Sequence, residues 1–301
     1  MQEPASDLVS VVIPVYNAEK YLEETLASVF AQTYPHIEIV AVDDGSKDRS
    51  IQILEQYPGR IHVIKQSNSG AAAARNRGAR EAKGKWIAFL DADDLWMPDK
   101  VQRQLETCSE YAWSHTDSVF FGGVNDGRKD SDFTEKYQGQ ILEQLICSNF
   151  VGTSTLMIQR QVFLDAGGFD ESLRSIQDWE LWIRIARQHP IGYMDAPLMK
   201  YRVHAVSASR STRKTLPNHL KVIDKVFAIG GPAEALSHLK SSAKARSYGI
   251  CSHIAEEEGD YDFALMCAAN ALRQGPTQLQ RWISLVKIAV KYILAKLNLR
   301  T

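Results

Sequence analysis

Cysteine is scarce in this chain: four in 301 residues, Cys108, Cys147, Cys251 and Cys267, with no CxxC pair. That argues against a disulfide scaffold and a four-Cys zinc site, and for a reducing, cytoplasmic compartment. Net charge is nearly absent as well. Thirty-five Lys and Arg stand against 36 Asp and Glu, so no net basic field favours nucleic acid. The opening MQEPASDLVS lacks the basic start and apolar run of a secretory signal. No stretch reaches about 18 uncharged apolar residues, so no spanning helix is expected. Two nucleotide fingerprints are also missing. No GxGxxG follows the first apolar run, and the nearest approach to a Walker A loop, Gly78 to Lys85, has the wrong spacing and Trp86 where Ser or Thr is needed. These absences remove the simple dehydrogenase and P-loop ATPase classes.

What is present is an ordinary globular balance, 45% hydrophobic and 24% charged, which disfavours disorder. Val9 to Pro14, Glu38 to Asp43, Ile61 to Gln66 and Trp86 to Asp91 are short, β-branched and mostly unalternating. Such runs suit strands buried on both faces. Helical spacing over Glu19 to Ala31, Ser50 to Tyr57 and Gly70 to Ala82 fills the gaps. The alternation predicts an α/β sheet with right-handed crossovers. Beyond Pro98 the pattern predicts a helix over Asp99 to Ser109, one or two strands in Trp113 to Val124 and a mobile loop in Gly122 to Phe133. A strand over Ser154 to Gln159, a helix over Ser175 to Gln188 and a strand over Pro197 to Val203 follow. From Leu216 only helices are expected, broken near Gly230-Gly231-Pro232, Gly259 and Gly275-Pro276. A boundary in the polar run Ser207 to Thr215 divides the chain into residues 1–212 and a helical extension, 213–301.

Two acidic clusters close predicted strands. Asp43-Asp44-Gly45-Ser46 ends the second, where open α/β sheets bind ligands. A carboxylate there can accept from a base N–H or a ribose hydroxyl; the plain alternative is a turn. Asp91-Ala92-Asp93-Asp94 ends the fourth. Alternate residues of an extended segment share a face, so Asp91 and Asp93 would converge. Mg²⁺ or Mn²⁺ would relieve their repulsion and hold substrate phosphates; an acidic turn with Asp94 as a helix cap is the alternative. The helix from Gly70, capped by Ser69, could direct amides at phosphate, or be a core helix with an Ala face.

Taken in order, the pieces form a set: Val12-Ile13-Pro14-Val15-Tyr16-Asn17, Asp43 to Asp48, Asn68-Ser69-Gly70 leading to Ala74-Arg75-Asn76-Arg77-Gly78, Asp91 to Asp94, Gly168-Phe169-Asp170-Glu171, and Gln177-Asp178-Trp179-Glu180-Leu181-Trp182. This closely resembles the family-2 inverting glycosyltransferases of GT-A fold, over about residues 8–210. The resemblance implies a Rossmann-like, mostly parallel sheet flanked by helices. It implies that Pro14, Val15, Tyr16, Asp44 and Arg75 line the nucleotide pocket, with Asp43 beside them. Asp91 and Asp93 look like the family's metal motif, with Asp93 the direct ligand. Asp178 sits where the family has its catalytic base; Gln177 stands where Glu is more common and cannot serve. Tyr201-Arg202-Val203-His204 resembles a motif in which His204 touches metal or diphosphate and Arg202 supports it. A structural histidine is the plain reading.

The function so implied is metal-dependent, inverting transfer from a nucleotide sugar, UDP first, to a glycan or lipid-linked hydroxyl. Other classes are a catalytically silent sugar-binding module, or a nucleotidyltransferase releasing pyrophosphate. Residues 281–300, RWISLVKIAVKYILAKLNLR, hold five basic residues and no acid. They suit an interfacial amphipathic helix making peripheral membrane contact, or a terminal helix docked on its own core.

Overall fold

The computed structural model describes residues 7–123, 125–203 and 212–298. It divides into two compact units, Met1–Ile141 with Phe150–His204, and Leu142–Asn149 with Ala205–Thr301.

The first unit is built on one eight-stranded sheet, with strands β1 (Val9–Val15), β2 (Ile37–Asp43), β3 (Ile61–Lys65), β4 (Trp86–Phe89), β5 (Leu95–Trp96), β6 (Trp113–Phe121), β7 (Met157–Gln159) and β8 (Gly192–Arg202). Their order is β3-β2-β1-β4-β7-β6-β8-β5. β3, β2, β1 and β4 pair in parallel, whereas β7 runs antiparallel to β4 and β6. The β-branched runs are buried on both faces: Val9, Val11, Val12, Ile13 and Val15 of β1 expose nothing, as parallel strands covered by helices must. Those helices are α1 (Leu22–Phe30), α2 (Ser50–Leu54), α3 (Ala71–Glu81) and α4 (Lys100–Thr107). Because β1 lies between β2 and β4, the chain reverses its direction of travel at β1, and the carboxyl ends of these three strands flank a switch point, where such sheets take ligands.

The second unit contains α5 (Leu142–Cys147). The first unit continues with α6 (Arg160–Asp165) and α7 (Gln177–Ala186). The second then resumes with α8 (Thr212–Val226), α9 (Lys240–Glu257), α10 (Tyr261–Gln274) and α11 (Leu279–Asn298). Its core is made of mostly small and aliphatic residues from α8 to α11, with one aromatic, Phe263: Leu216, Cys251, Ala255, Phe263, Ala264, Cys267, Ala268 and Ile288. The expected breaks are present. Gly259 turns at φ +76°, and Asp260 then caps α10 by accepting from the Phe263 N–H at 3.3 Å.

Several expectations change. Gly122 to Phe133 does not read as a loose loop in three dimensions. Phe120 N–H donates to the Arg128 carbonyl, Gly127 N–H to that of Phe120, and Val119 bridges to Lys129. Gly122 and Gly123, at φ +75° and +77°, turn the chain back onto β6. The strand expected from Pro197 begins at Gly192, because its pairing with β6 shifts register around Asp117, opposite Pro197. An irregularity of that kind accommodates a residue with no N–H. β5, two residues long, and α5 and α6, six each, are too short to leave a readable period.

Candidate functional site

The carboxyl end of β2 is where the two acidic residues part company. Asp44 is buried, and its carboxylate accepts from Gln66 Nε2, Ser69 N–H and Gly70 N–H, each at 2.8 Å. It therefore holds the β3–α3 loop. Ser69 does not cap α3 as expected; its hydroxyl bonds the Ser67 carbonyl, Gly70 at φ +95° occupies the cap position, and Asp44 takes the Gly70 amide meant for phosphate. Asp43 differs. Its Oδ2 lies 3.4 Å from Ser46 N–H, while its Oδ1 is buried with no hydrogen-bond partner among the described residues. A buried acceptor left over is costly, so Asp43 is the group here with capacity for a ligand. Arg75, on α3, is in the same state: Nη2 pairs with Asp91 at 2.5 Å, and its buried Nε has no partner among the described residues. Pro14 and Val15 end β1, and Tyr16 follows with its ring half exposed.

At the end of β4 the acidic cluster is a turn, with Asp94 N–H donating to the Asp91 carbonyl at 3.1 Å. The alternation that would aim Asp91 and Asp93 at one point does not apply to a turn, and Asp94 caps no helix. The turn is clamped from three sides. Buried Thr25 of α1 donates between the Ala92 and Asp94 carbonyls, 3.0 Å from each. Ser154 donates to Asp94 at 2.6 Å and accepts from Asp91 N–H at 3.1 Å. Arg202 of β8 gives its N–H to Asp94 at 3.0 Å and its Nε to the Asp93 carbonyl at 2.7 Å. Its guanidinium lies over the rings of Tyr21 and Phe121 and pairs with Glu24. Arg202 is thus a strut of the acidic turn. Burial, with the Asp91 and Asp93 charges beside it, holds Asp94 well above the usual carboxylate range. Asp94 is therefore spent inside the turn, and the hard oxygen donors left to suit Mg²⁺ or Mn²⁺ are Asp93 and, beside it, Asp91. Among the described residues no three His, Cys, Asp or Glu could hold an ion by themselves, so a cation here would complete its shell with substrate oxygens and water. His204 lies outside the described residues.

Asp178 lies in the first turn of α7, partly exposed. The residue before the helix, Ile176, sits at φ +64°. A β-branched residue in the left-handed region is strained, and such strain concentrates at functional sites. Seven of the ten residues of α7 are buried, Leu181 and Trp182 completely. Glu180 is also fully buried and is not a solvated face: it pairs with Arg184, which in turn donates to the Ala166 and Gly168 carbonyls. Those bonds hold the Gly167-Gly168-Phe169 loop, whose glycines have φ +80° and +68°. A Cβ on Gly168 would come within 2.5 Å of Asn76 Oδ1. Asn76, next to Arg75, bonds both backbone groups of Phe169. The Phe169 ring lies 5.5 Å from the Arg75 guanidinium and 5.7 Å from Trp182. One aromatic side chain thus ties the helix of Arg75 to the helix of Asp178.

Thr25, Glu24, Ser154, Gln66 and Asn76 were not marked by the sequence as site-forming. Thr25, Glu24, Ser154 and Gln66 have ordinary local context, and only the fold brings them to the acidic turns. Asn76 stood inside a noted motif, between Arg75 and Arg77, which was its one signal.

Comparison with known proteins fits this geometry. The model of glycosyl transferase family 2 matches residues 10–164, just over half of the chain. TuaG of Bacillus subtilis strain 168, a glycosyltransferase named for teichuronic acid biosynthesis, is 35% identical over 241 residues, 78% of this chain and 92% of TuaG. An uncharacterized glycosyltransferase of Rickettsia prowazekii is 33% identical, covering 71% of this chain and 70% of the relative. Among solved structures, Staphylococcus aureus TarS 1-349 superposes with a TM-score of 0.63 at 20% identity, covering 89% of this chain and 81% of that one. A Pyrobaculum calidifontis mannosyltransferase in complex with GDP-Man and Mn²⁺ gives 0.63 at 18%, covering 98% and 92%. The curled mixed sheet with flanking helices is the GT-A fold of these structures. With the family model spanning the strands that carry both acidic turns, and a relative this similar along nearly its whole length, the chain belongs to glycosyl transferase family 2.

Proposed function

We propose that this glycosyltransferase is metal-dependent and inverting, and moves a sugar, a hexose first, from a UDP-sugar to a hydroxyl on a glycan or lipid-linked acceptor. The observation that carries the reading is the clamped acidic turn facing the switch point, with Asp43 Oδ1 and Arg75 Nε buried beside it with no partner among the described residues. Asp43 accepts from the donor's base or ribose, Arg75 donates, Tyr16 offers a ring for stacking, and Pro14 and Val15 form the floor. Asp44 and Arg202 position the loops around them. Asp93 would be the direct ligand of a divalent metal, with His204 as a second, and Asp91, held by Arg75, beside it. A bound divalent ion supplies charge neutralisation to the departing diphosphate. Asp178 takes the proton of the acceptor hydroxyl, a step worth about 10²–10⁴-fold, and inversion requires it to act from the face opposite the leaving group. Solved neighbours titled as complexes with UDP-GlcNAc and with GDP-Man and Mn²⁺ support donor and metal classes of this kind.

The cysteines, all unpaired among the described residues, support a cytoplasmic setting. No described helix is long and apolar enough to cross a membrane, and the same reading includes peripheral membrane contact through residues 281–300.

The test is a panel of nucleotide sugars read by thermal shift with Mn²⁺. A ligand specific for the native state adds about 2.7 kcal/mol at one hundred times its Kd. A matching donor should then release nucleoside diphosphate on turnover. Binding without release would mark a silent module, and release of pyrophosphate a nucleotidyltransferase. Full turnover in EDTA would reject the metal.

A further inference from the structure

Helix α11 docks on its own unit by one face and leaves another bare. Ile288 is buried, Leu285 packs against the same core, and Lys287 and Lys291 both pair with Glu256 of α9, at 3.0 and 2.6 Å. On the opposite side Leu279, Trp282, Ile283, Val286, Val290, Ile293, Leu294 and Leu297 are each 50–71% exposed. At about 100° per residue these eight fall within an arc of about 120°. The arc is a continuous ridge, larger in extent than the scattered apolar residues normal on a protein surface.

The charges beside the ridge select its occupant. Gln280, Ser284, Lys287 and Lys291 border one edge, and Lys296 lies beyond the other. One carboxylate serves Lys287 and Lys291 together, and Lys296 pairs with Asp262 at 3.7 Å, so the three lysines keep one positive charge in excess of their partners. A second copy of this chain meeting ridge to ridge would bring basic flanks together with no acid on α11 to answer them. A surface that is apolar below and anionic above meets both features.

We propose that α11 lies in the plane of an anionic bilayer, its ridge among the acyl chains and Lys287, Lys291 and Lys296 at headgroup level. The proposal rests on the peripheral contact included in the reading above and adds the face and the lipid charge. The lysine stems reach past the ridge while their ammonium groups stay at the polar layer.

The experiment is flotation of the full chain with vesicles of phosphatidylcholine alone, or with one third phosphatidylglycerol. Recovery should be confined to the anionic vesicles and fall severalfold between low and high salt. Val286→Glu with Ile293→Glu, both at exposed positions, should abolish recovery without moving the melting temperature. Lys287→Gln with Lys291→Gln should weaken binding roughly tenfold. Equal recovery on neutral and anionic vesicles would overturn the charge selection while leaving peripheral contact standing. No recovery on either would overturn both. A lipid-free dimer in sedimentation equilibrium that the Val286/Ile293 variant dissociates would make a second copy the occupant and overturn the proposal. None of these outcomes bears on transfer to a soluble acceptor, so the catalytic reading stands or falls separately.

Discussion

Helices α7 and α11 are both strongly apolar, and they are used in opposite ways. Of the ten residues of α7, seven are buried, including the charged Glu180. Of the apolar side chains of α11, only Ile288 is buried among the described residues. Apolarity in a sequence is therefore a demand for cover, and the neighbours decide whether it is met. For α7 the cover is aromatic: Trp182 meets Trp113 and Phe169, with ring centroids 6.1 and 5.7 Å away. The result is a rigid carrier for one partly exposed carboxylate, Asp178. For α11, stabilisation of roughly 1.5–3 kcal/mol per fully buried large side chain is left unrealised on its ridge.

The comparison is broken most severely at the carboxylates of the catalytic unit. Asp178→Asn, nearly isosteric, should lower turnover about 10²–10⁴-fold while fold and donor binding survive. A variant keeping more than about a tenth of wild-type turnover would remove Asp178 from the base role. Asp93→Asn should cost a comparable factor and remove most of the dependence on added Mn²⁺, as measured by turnover against metal concentration.

Packing changes come next. Trp182→Ala should destabilise by about 3–5 kcal/mol in denaturant unfolding, through the cavity left between Trp113 and Phe169. Trp282→Ala on α11, half exposed, should stay within about 1 kcal/mol. Equal costs would mean that the ridge is covered in solution.

Acid should act on both units. Burial holds His115, in β6, neutral, with Lys136 adding to the effect, down to about 3; burial alone holds His219, in α8, down to about 4. A histidine in the unfolded chain titrates near the ordinary 6.5, so below that pH the unfolded state binds more protons and stability is lost as pH falls. The slope should approach about 1.4 kcal/mol per pH unit for each histidine between 6.5 and its folded value. Unfolding free energy that is flat from pH 7 to 5 would contradict this burial. The smallest effect is expected from Val290→Ser on the α11 ridge, within about 0.5 kcal/mol by thermal unfolding.

The parallel half of the sheet was legible because its strands are uninterrupted β-branched runs, and β1 and β2 begin and end within one residue of their predicted limits. The acidic turns were legible as motifs, but their internal division of labour was not. Asp43 and Asp44 are adjacent and chemically alike; one is spent on three bonds to the β3–α3 loop, and the other keeps an unanswered oxygen. Arg202 read as the support of His204 beside metal or diphosphate, and nothing in the sequence told that it would also bond the Asp93 carbonyl and Glu24. Glu180 and Asp178 share one helical turn, and nothing in their spacing tells which would be buried.

The sequence by itself determined the alternating elements, the places where strands end in acids, and the family, because these depend on local period and residue order. Only the tertiary structure decided which acid binds its own backbone, that Phe169 joins the helix of Arg75 to that of Asp178, and that α11 keeps a bare apolar ridge. Those outcomes depend on contacts between residues as far apart as Asn76 and Phe169, or Glu24 and Arg202. Hydrogen bonds and burial are settled by proximity in space, which a chain acquires only on folding.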